Sequence, residues 1–172
     1  GLSAISQSSK GLIKFVETYR DLTKVAPPVK KAFFFKDMVM RGIELTHEEV
    51  FSRGATCRYI EKSEDILLYA DQNQIVQILI NLIKNGMQAD AKKIEIQGEM
   101  NLAEQVIISV TNDGTPISKE SQNQIFVPFF TTKEDGTGIG LSLSRQIMRM
   151  HNGSLTLTKS DAEGTTFTLI FQ

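Results

Sequence analysis

The sequence predicts an α+β domain: a two-layer sandwich of one mixed, mainly antiparallel sheet covered on one face by helices, with one long helix ahead of it. Three observations predict it. Short runs rich in β-branched residues come in pairs joined by tight polar turns, as in 94–98 with 106–111 and 155–159 with 166–171. Other segments carry apolar residues at helical spacing instead. Strands and helices do not alternate regularly, which disfavours a wound parallel sheet.

The elements follow in order. Residues 1 to 24 read as one helix, because Leu2, Ile5, Ser9, Leu12, Val16 and Tyr19 recur at alternating steps of three and four. Such a stripe is a coiled-coil-like seam with one polar position, or else an amphipathic face folded onto the main domain. Ala26-Pro27-Pro28 ends it, since proline cannot continue a helix and restricts the residue before it. A second helix is expected over 35–53, with Phe35, Val39, Ile43, Thr46 and Val50 on one face. Short strands follow at 57–60 and 66–70, then a strong helix over 72–89. The strands 94–98 and 106–111 meet at a turn around Asn101, and residues 114–138 read as loop. A helix from Gly138 to Met150 stops at His151-Asn152-Gly153, where the glycine is expected to turn left-handed. The last two strands, 155–159 and 166–171, flank Asp161-Ala162-Glu163-Gly164. This divides the chain into a helical segment 1–25, a linker 26–33 and a main domain 34–172.

Bulk properties narrow the function. A net charge of −1 gives no general attraction to nucleic acid or to an anionic membrane. The single cysteine, Cys57, allows no intrachain disulfide, which fits a reducing compartment. No apolar run approaches the roughly 18 residues that a membrane span needs. The chain opens at Gly1 without a signal-peptide pattern and reads as a piece of something longer.

Three features carry chemistry. In the helix over 72–89, Ile75, Leu79, Leu82, Ile83 and Gly86 share one face, while Gln74, Gln77, Asn81, Asn85 and Gln88 form an uncharged amide stripe on the other. Amides supply neutral oxygens for a hard cation and donors for phosphate; the alternative is a merely polar exposed face. After a strand comes Asn112-Asp113-Gly114, where an aspartate can accept from an exocyclic amine, although the same tripeptide is strong turn chemistry anywhere. Gly136-Thr137-Gly138-Ile139-Gly140-Leu141 precedes a helix, and glycines with free N–H groups at a helix start favour phosphate. No Lys-Ser/Thr follows, so this is not the Walker pattern.

Taken in order, these motifs resemble a known family. Asn81-Leu82-Ile83-Lys84-Asn85, Asn112-Asp113-Gly114, Phe126-Val127-Pro128-Phe129-Phe130-Thr131-Thr132-Lys133, the glycine loop and Gly164-Thr165-Thr166-Phe167 resemble the conserved boxes of sensor histidine kinase catalytic domains. That domain shares its fold with gyrase, Hsp90 and MutL. The Asn-Leu-Ile-Lys-Asn form and the Thr-Thr-Lys ending resemble the nitrogen-regulation branch most. The resemblance implies ATP and Mg2+ as cofactors. Asn85 would hold magnesium, and Asn81 would contact phosphate or the metal shell. Asp113 would accept from the adenine amino group, with Gly114 letting the base lie close and Thr165 beside a water there. Phe129, Phe130, Thr132 and Lys133 would root a mobile lid. Gly136, Thr137, Gly138, Ile139, Gly140 and Leu141 would hinge it and cradle phosphate. Lys84, Gln88 and Ile117 complete the implied nucleotide-facing set, and Lys133 is a further phosphate contact.

Departures stand at Pro116, where many members carry glycine, and at Gly86, where alanine is common. Hydrolytic relatives carry an acidic residue at the position of Asn81. An amide cannot act as a general base, which favours phosphoryl transfer over water attack. His47 reads as a partly exposed helix residue and His151 as a helix C-terminal one, so neither resembles the acceptor histidine. The helix 1–25 resembles the second helix of a dimerisation hairpin, with the acceptor upstream of Gly1. The resemblance implies a fragment that binds ATP without phosphorylating itself, a homodimeric cytoplasmic parent with a possible membrane anchor, and a response regulator receiver domain as partner. No nucleic acid and no direct membrane contact are expected. A serine-directed kinase of the same fold, a degenerate nucleotide-binding module and a hydrolytic ATPase remain as alternatives.

Overall fold

A computed structural model describes residues 1–132 and 136–172, with the side chains of Thr18 and of residues 21–23 left aside. Among the described residues, seven strands and five helices follow one another in the order α1 (Leu2–Thr23), β1 (Lys31–Phe34), α2 (Phe35–Ser52), β2 (Thr56–Glu61), β3 (Leu67–Ala70), α3 (Gln72–Gln88), β4 (Lys93–Met100), β5 (Val106–Asn112), α4 (Lys119–Gln122), α5 (Gly140–Met150), β6 (Ser154–Asp161) and β7 (Gly164–Phe171). The five-stranded sheet has the order β2-β4-β5-β7-β6. Only β2 and β4 are parallel; every other pair in it is antiparallel. The expected sandwich is present, with one difference. A second, two-stranded sheet of β1 and β3 stands apart from the main one, with Phe34 opposite Leu67.

β1 begins within the stretch read as a linker, and that stretch is held in place. The backbone N–H of Val29 donates to the Asp71 carboxylate at 2.9 Å, and Gln74 Nε2 donates to the Ala26 carbonyl at 2.8 Å. Asp71 is also the N-cap of α3, accepting from the Gln74 backbone N–H with its other oxygen. One carboxylate thus starts α3 and anchors the approach to β1.

The core lies between the helices and one face of the main sheet. α3 buries Ile75, Leu79, Leu82, Ile83 and Met87, each at most 2% exposed. They meet Ile94 and Ile96 of β4, Ile108 and Val110 of β5, and Phe167 and Leu169 of β7. On α2 the core face is Phe35, Met38, Val39, Gly42, Thr46 and Val50, while Ile43 is only partly buried. Burying a side chain of this kind contributes roughly 1.5–3 kcal/mol, which makes this layer the main source of cohesion.

α5 ends as expected but by a different residue. Asn152, not Gly153, takes the left-handed conformation, at φ 56°. Asparagine tolerates that region, and Gly153 is needed small instead, because a Cβ there would come 2.5 Å from the Ile170 carbonyl. His151 locks this end to α3. Its Nε2 accepts from the Asp71 backbone N–H at 3.0 Å, which makes Nδ1 the protonated nitrogen, donating to the Ile147 carbonyl at 2.8 Å. The ring is buried, so this histidine is structural.

α1 leaves most of its apolar stripe exposed, including Leu2, Ile5, Leu12 and Val16. It touches the rest of the chain through Phe15, stacked on Phe129 with ring centroids 5.0 Å apart. No helix among the described residues is long and apolar enough to cross a membrane.

Candidate functional site

A cavity of about 780 Å³ opens between the amide face of α3, the ends of β5 and β7, the 115–132 loop and the start of α5. That volume suits a small organic ligand. The amide stripe supplies one wall. Asn81, Asn85 and Gln88 line the cavity with Lys84 beside them, because the opposite face of α3 is committed to the core. Helical geometry alone therefore aims these side chains at the opening.

The glycine loop supplies the roof. Gly136, Thr137, Gly138, Gly140 and Leu141 line the cavity, as do Phe130, Thr131 and Thr132 on the other arm. Gly138 is left-handed at φ 73° and its carbonyl accepts from the Phe129 N–H at 2.7 Å, which closes the base of the loop. Gly140 sits directly against the Asn81 side chain, so any Cβ there would collide with it. Asn81 Nδ2 donates to Ser144 Oγ at 3.3 Å, which ties α3 to the first turn of α5. The N-cap residue of α5, Ile139, has no side-chain acceptor. Among the described residues, no side chain caps the first N–H groups of this 11-residue helix, which suits an anion-binding helix start.

The floor differs from expectation. Asp113 does not line the cavity; its Oδ1 accepts from the backbone N–H groups of Lys92 and Lys93 at 2.7 and 2.8 Å. Its partial desolvation alone would raise its pKa, but the backbone donors of Lys93, Lys92 and Asp113 itself, with the Lys93 charge, together outweigh it and hold the carboxyl below its ordinary value. Asn112 lines the cavity in its place. The reason is the strand. Val106, Ile108, Val110 and Asn112 alternate onto the buried face of β5, and Asp113 falls on the other side. That alternation was visible in the sequence and marks position 112. Gly114 is not cavity-lining either. It rests on Ala89, where a Cβ would come 2.6 Å from the Ala89 carbonyl.

Two further expectations shift. Phe129 faces Phe15 of α1 and Ile139 is buried in the loop base, so of these neighbours Phe130 alone lines the cavity. Lys133 lies outside the described residues. Thr165 and Ile117 line the cavity. Thr165 is in register with Asn112 across β5 and β7, and its hydroxyl pairs with Ser160 Oγ at 2.8 Å. Sequence reasoning missed Ser118, Ser121 and Ile125, whose approach depends on how the 115–132 loop folds back, and Phe167, which reaches the cavity from β7. Ser118 also caps the single turn α4, accepting from the Ser121 N–H.

Among the described residues, no aspartate or glutamate lines the cavity, and Lys84 is its one charged residue. No cluster of three or more His, Cys, Asp or Glu side chains able to hold a metal occurs among them either. A cation here would have to arrive with an anionic ligand and take a neutral amide oxygen as its protein contact. That donor set fits magnesium, which binds through few protein ligands plus phosphates and waters. His47 is far from this arrangement in role: it is exposed on α2, stacked on Phe51.

Comparison with known proteins agrees with this geometry. Residues 70–172 match the family described as histidine kinase-, DNA gyrase B-, and HSP90-like ATPase. The sensor histidine kinase ZraS of Escherichia coli O157:H7 is 34% identical over 167 residues, covering 96% of this chain and 36% of that protein. The chain thus spans little more than a third of the length of this relative. The nucleotide-free catalytic domain of histidine kinase ThkA superposes with a TM-score of 0.74 at 32% identity, over 83% of this chain and 94% of that one. ThkA in complex with the response regulator protein TrrA superposes with a TM-score of 0.77 at 27% identity, over 98% of this chain and 49% of that one.

Proposed function

The chain belongs to the histidine kinase-, DNA gyrase B-, and HSP90-like ATPase family, and we propose that it is the ATP-binding catalytic part of a sensor histidine kinase, transferring the γ-phosphoryl group of ATP to a histidine on another segment. The observation that carries this reading is the cavity wall: amides and an uncapped helix start, one lysine and no carboxylate among the described residues. Such a wall binds a polyanion and offers no general base for water.

The residues divide the work. The first N–H groups of α5 and Lys84 receive the phosphates. Asn81 holds the start of α5 through Ser144 and contacts the phosphates or the metal shell. The Asn85 amide oxygen would hold magnesium, whose charge neutralises the transferring phosphoryl group. Asn112 and Thr165 face the base. An imidazole nitrogen attacks with its own lone pair, so the new P–N bond forms while the bond from γ-phosphorus to the bridging oxygen breaks. ADP leaves with that electron pair. Catalysis is then positioning and charge neutralisation, which is all this cavity provides.

The acceptor is neither histidine described above, since His151 is buried in a structural bridge and His47 lies on α2 away from the cavity lining. The exposed stripe of α1 favours its reading as one helix of a dimerisation hairpin, with a homodimeric parent. The complex of ThkA with TrrA supports a response regulator as the next acceptor. The motif wording at 81–85 and 131–133 favours the nitrogen-regulation-like branch.

Calorimetric titration of ATP with and without magnesium tests the reading. The protein should bind ATP, and Asn85→Ala should remove the magnesium dependence while leaving the melting temperature unchanged. No heat of binding for ATP under either condition overturns it.

A further inference from the structure

We propose that Ser144 is a positioning residue that fixes the Asn81 amide with its oxygen toward the cavity, and so biases the site toward magnesium-complexed over free nucleotide; the proposal rests on the nucleotide-binding reading above. Ser144 lies on α5 and is 3% exposed. Its Oγ is 2.8 Å from the Gly140 carbonyl and 3.3 Å from the Asn81 side-chain amide. A carbonyl can only accept, so the one hydroxyl proton is committed to Gly140. Toward Asn81 the hydroxyl can therefore only accept, and the contacting atom is Nδ2. Ser144 thus decides which way the amide faces.

Oδ1 is then the free end. It is the atom that a Cβ on Gly140 would strike first, and both residues line the cavity. Among the described residues, the bond to Ser144 is the one hydrogen bond of the Asn81 side chain. Its oxygen is not sealed in either: among those residues, only Tyr59 Oη and Gln74 Oε1 are buried side-chain polar atoms without a partner. Position 81 therefore presents an acceptor to the ligand, one helical turn before Asn85. Two amide oxygens on one stripe suit a cation and the waters around it. Bare phosphate oxygens meet an acceptor with repulsion, whereas Nδ2 would attract them. Without the Ser144 hydroxyl nothing tells the two ends of the amide apart, and the donor can turn to the phosphates.

The test is calorimetric titration of ATP, with and without magnesium, into the protein, Ser144→Ala, Ser144→Thr, Asn81→Ala and the double variant. Ser144→Ala should weaken binding of ATP with magnesium and tighten binding of ATP without it, lowering the ratio of the two affinities by about fivefold or more. Its melting temperature should stay within about 4 °C, because a serine hydroxyl bonded to the carbonyl four residues back adds little to a helix. Ser144→Thr keeps the hydroxyl and should keep the ratio. In the Asn81→Ala background, Ser144→Ala should move the ratio by less than about twofold, since the serine acts through that amide. Equal weakening with and without magnesium in folded Ser144→Ala, or the same fall in the ratio without the Asn81 side chain, overturns the proposal. Ser144→Cys stands in if Ser144→Ala does not fold; failure of both to fold makes the serine structural and overturns the proposal as well. ATP binding by the unsubstituted protein with an unchanged ratio in Ser144→Ala sinks this proposal only; failure of ATP to bind under either condition sinks the nucleotide reading with it.

Discussion

The two sides of the cavity are built differently. On one side, α3 and the ends of β5 and β7 carry Asn81, Asn85, Asn112 and Thr165 on backbone that the core fixes from behind, with Ile75, Leu79, Leu82 and Ile83 at most 2% exposed. On the other, the described residues of 113–132 and 136–138 hold one four-residue helix and are otherwise joined by turns and loop contacts, such as the Ile117 N–H to Ser160 Oγ and the Phe129 N–H to the Gly138 carbonyl. Phe129 is itself left-handed at φ 68°, a conformation that a bulky residue adopts at a cost. The groups assigned to the metal and the base sit on the rigid side. The groups that enclose the ligand sit on the side built of turns and loop rather than of core-backed helix and strand.

This contrast predicts which substitutions affect stability and which affect binding. The largest stability effect should come from Leu79→Ala, behind the rigid wall: a loss of about 3–4 kcal/mol in denaturant unfolding. His151→Ala removes a buried ring with two hydrogen bonds and should cost about 2–3 kcal/mol, with ATP affinity of the folded fraction within about threefold. A much smaller loss would mean that the bridge between α5 and α3 is dispensable.

Asp113→Ala sharpens the comparison most directly, because it should leave ATP affinity within about threefold while costing about 1 kcal/mol of stability. The pH dependence has a definite sign. The folded-state pKa of Asp113 is depressed, so its contribution is present above the ordinary carboxylate pKa and is lost as pH falls through the folded value. The stability gap between Asp113→Ala and the unsubstituted protein should close on acidification below the carboxylate range. A collapse of ATP binding in this variant would return the base contact to position 113. The smallest effect is expected from Phe15→Ala, about 0.5–1.5 kcal/mol from one exposed ring pair, seen as faster hydrogen exchange at the loop base and not as a lower global melting point.

Much of this was legible from local pattern. Helical periodicity gave α2, α3 and α5 nearly to their ends, and the C-terminal half of the amide stripe of α3, Asn81, Asn85 and Gln88, faces the cavity because the apolar face opposite it had only the core to go to, while Gln74 and Gln77 lie outside it. What escaped depends on distant partners. β1 reads as a continuation after Pro27-Pro28 because its pairing strand β3 lies more than thirty residues on, and nothing within Lys31–Phe34 announces that pairing. The choice between Asn112 and Asp113 was decidable from the alternation of β5, but chemical expectation favoured the carboxylate over the period of two. Position 152 shows the same preference at work: glycine was credited with the left-handed turn that asparagine makes.

The strand order β2-β4-β5-β7-β6 sets a sequence of events during synthesis. Thr165 and Phe167, which floor the cavity, belong to β7, and β7 is the neighbour that covers the open edge of β5. A ribosome-bound chain that has emerged as far as α5 already displays the amide stripe and the glycine loop, yet has only the Asn112 side of the floor beneath them. Nucleotide therefore cannot template the early collapse of this domain; it can only stabilise a chain whose last strand has already docked.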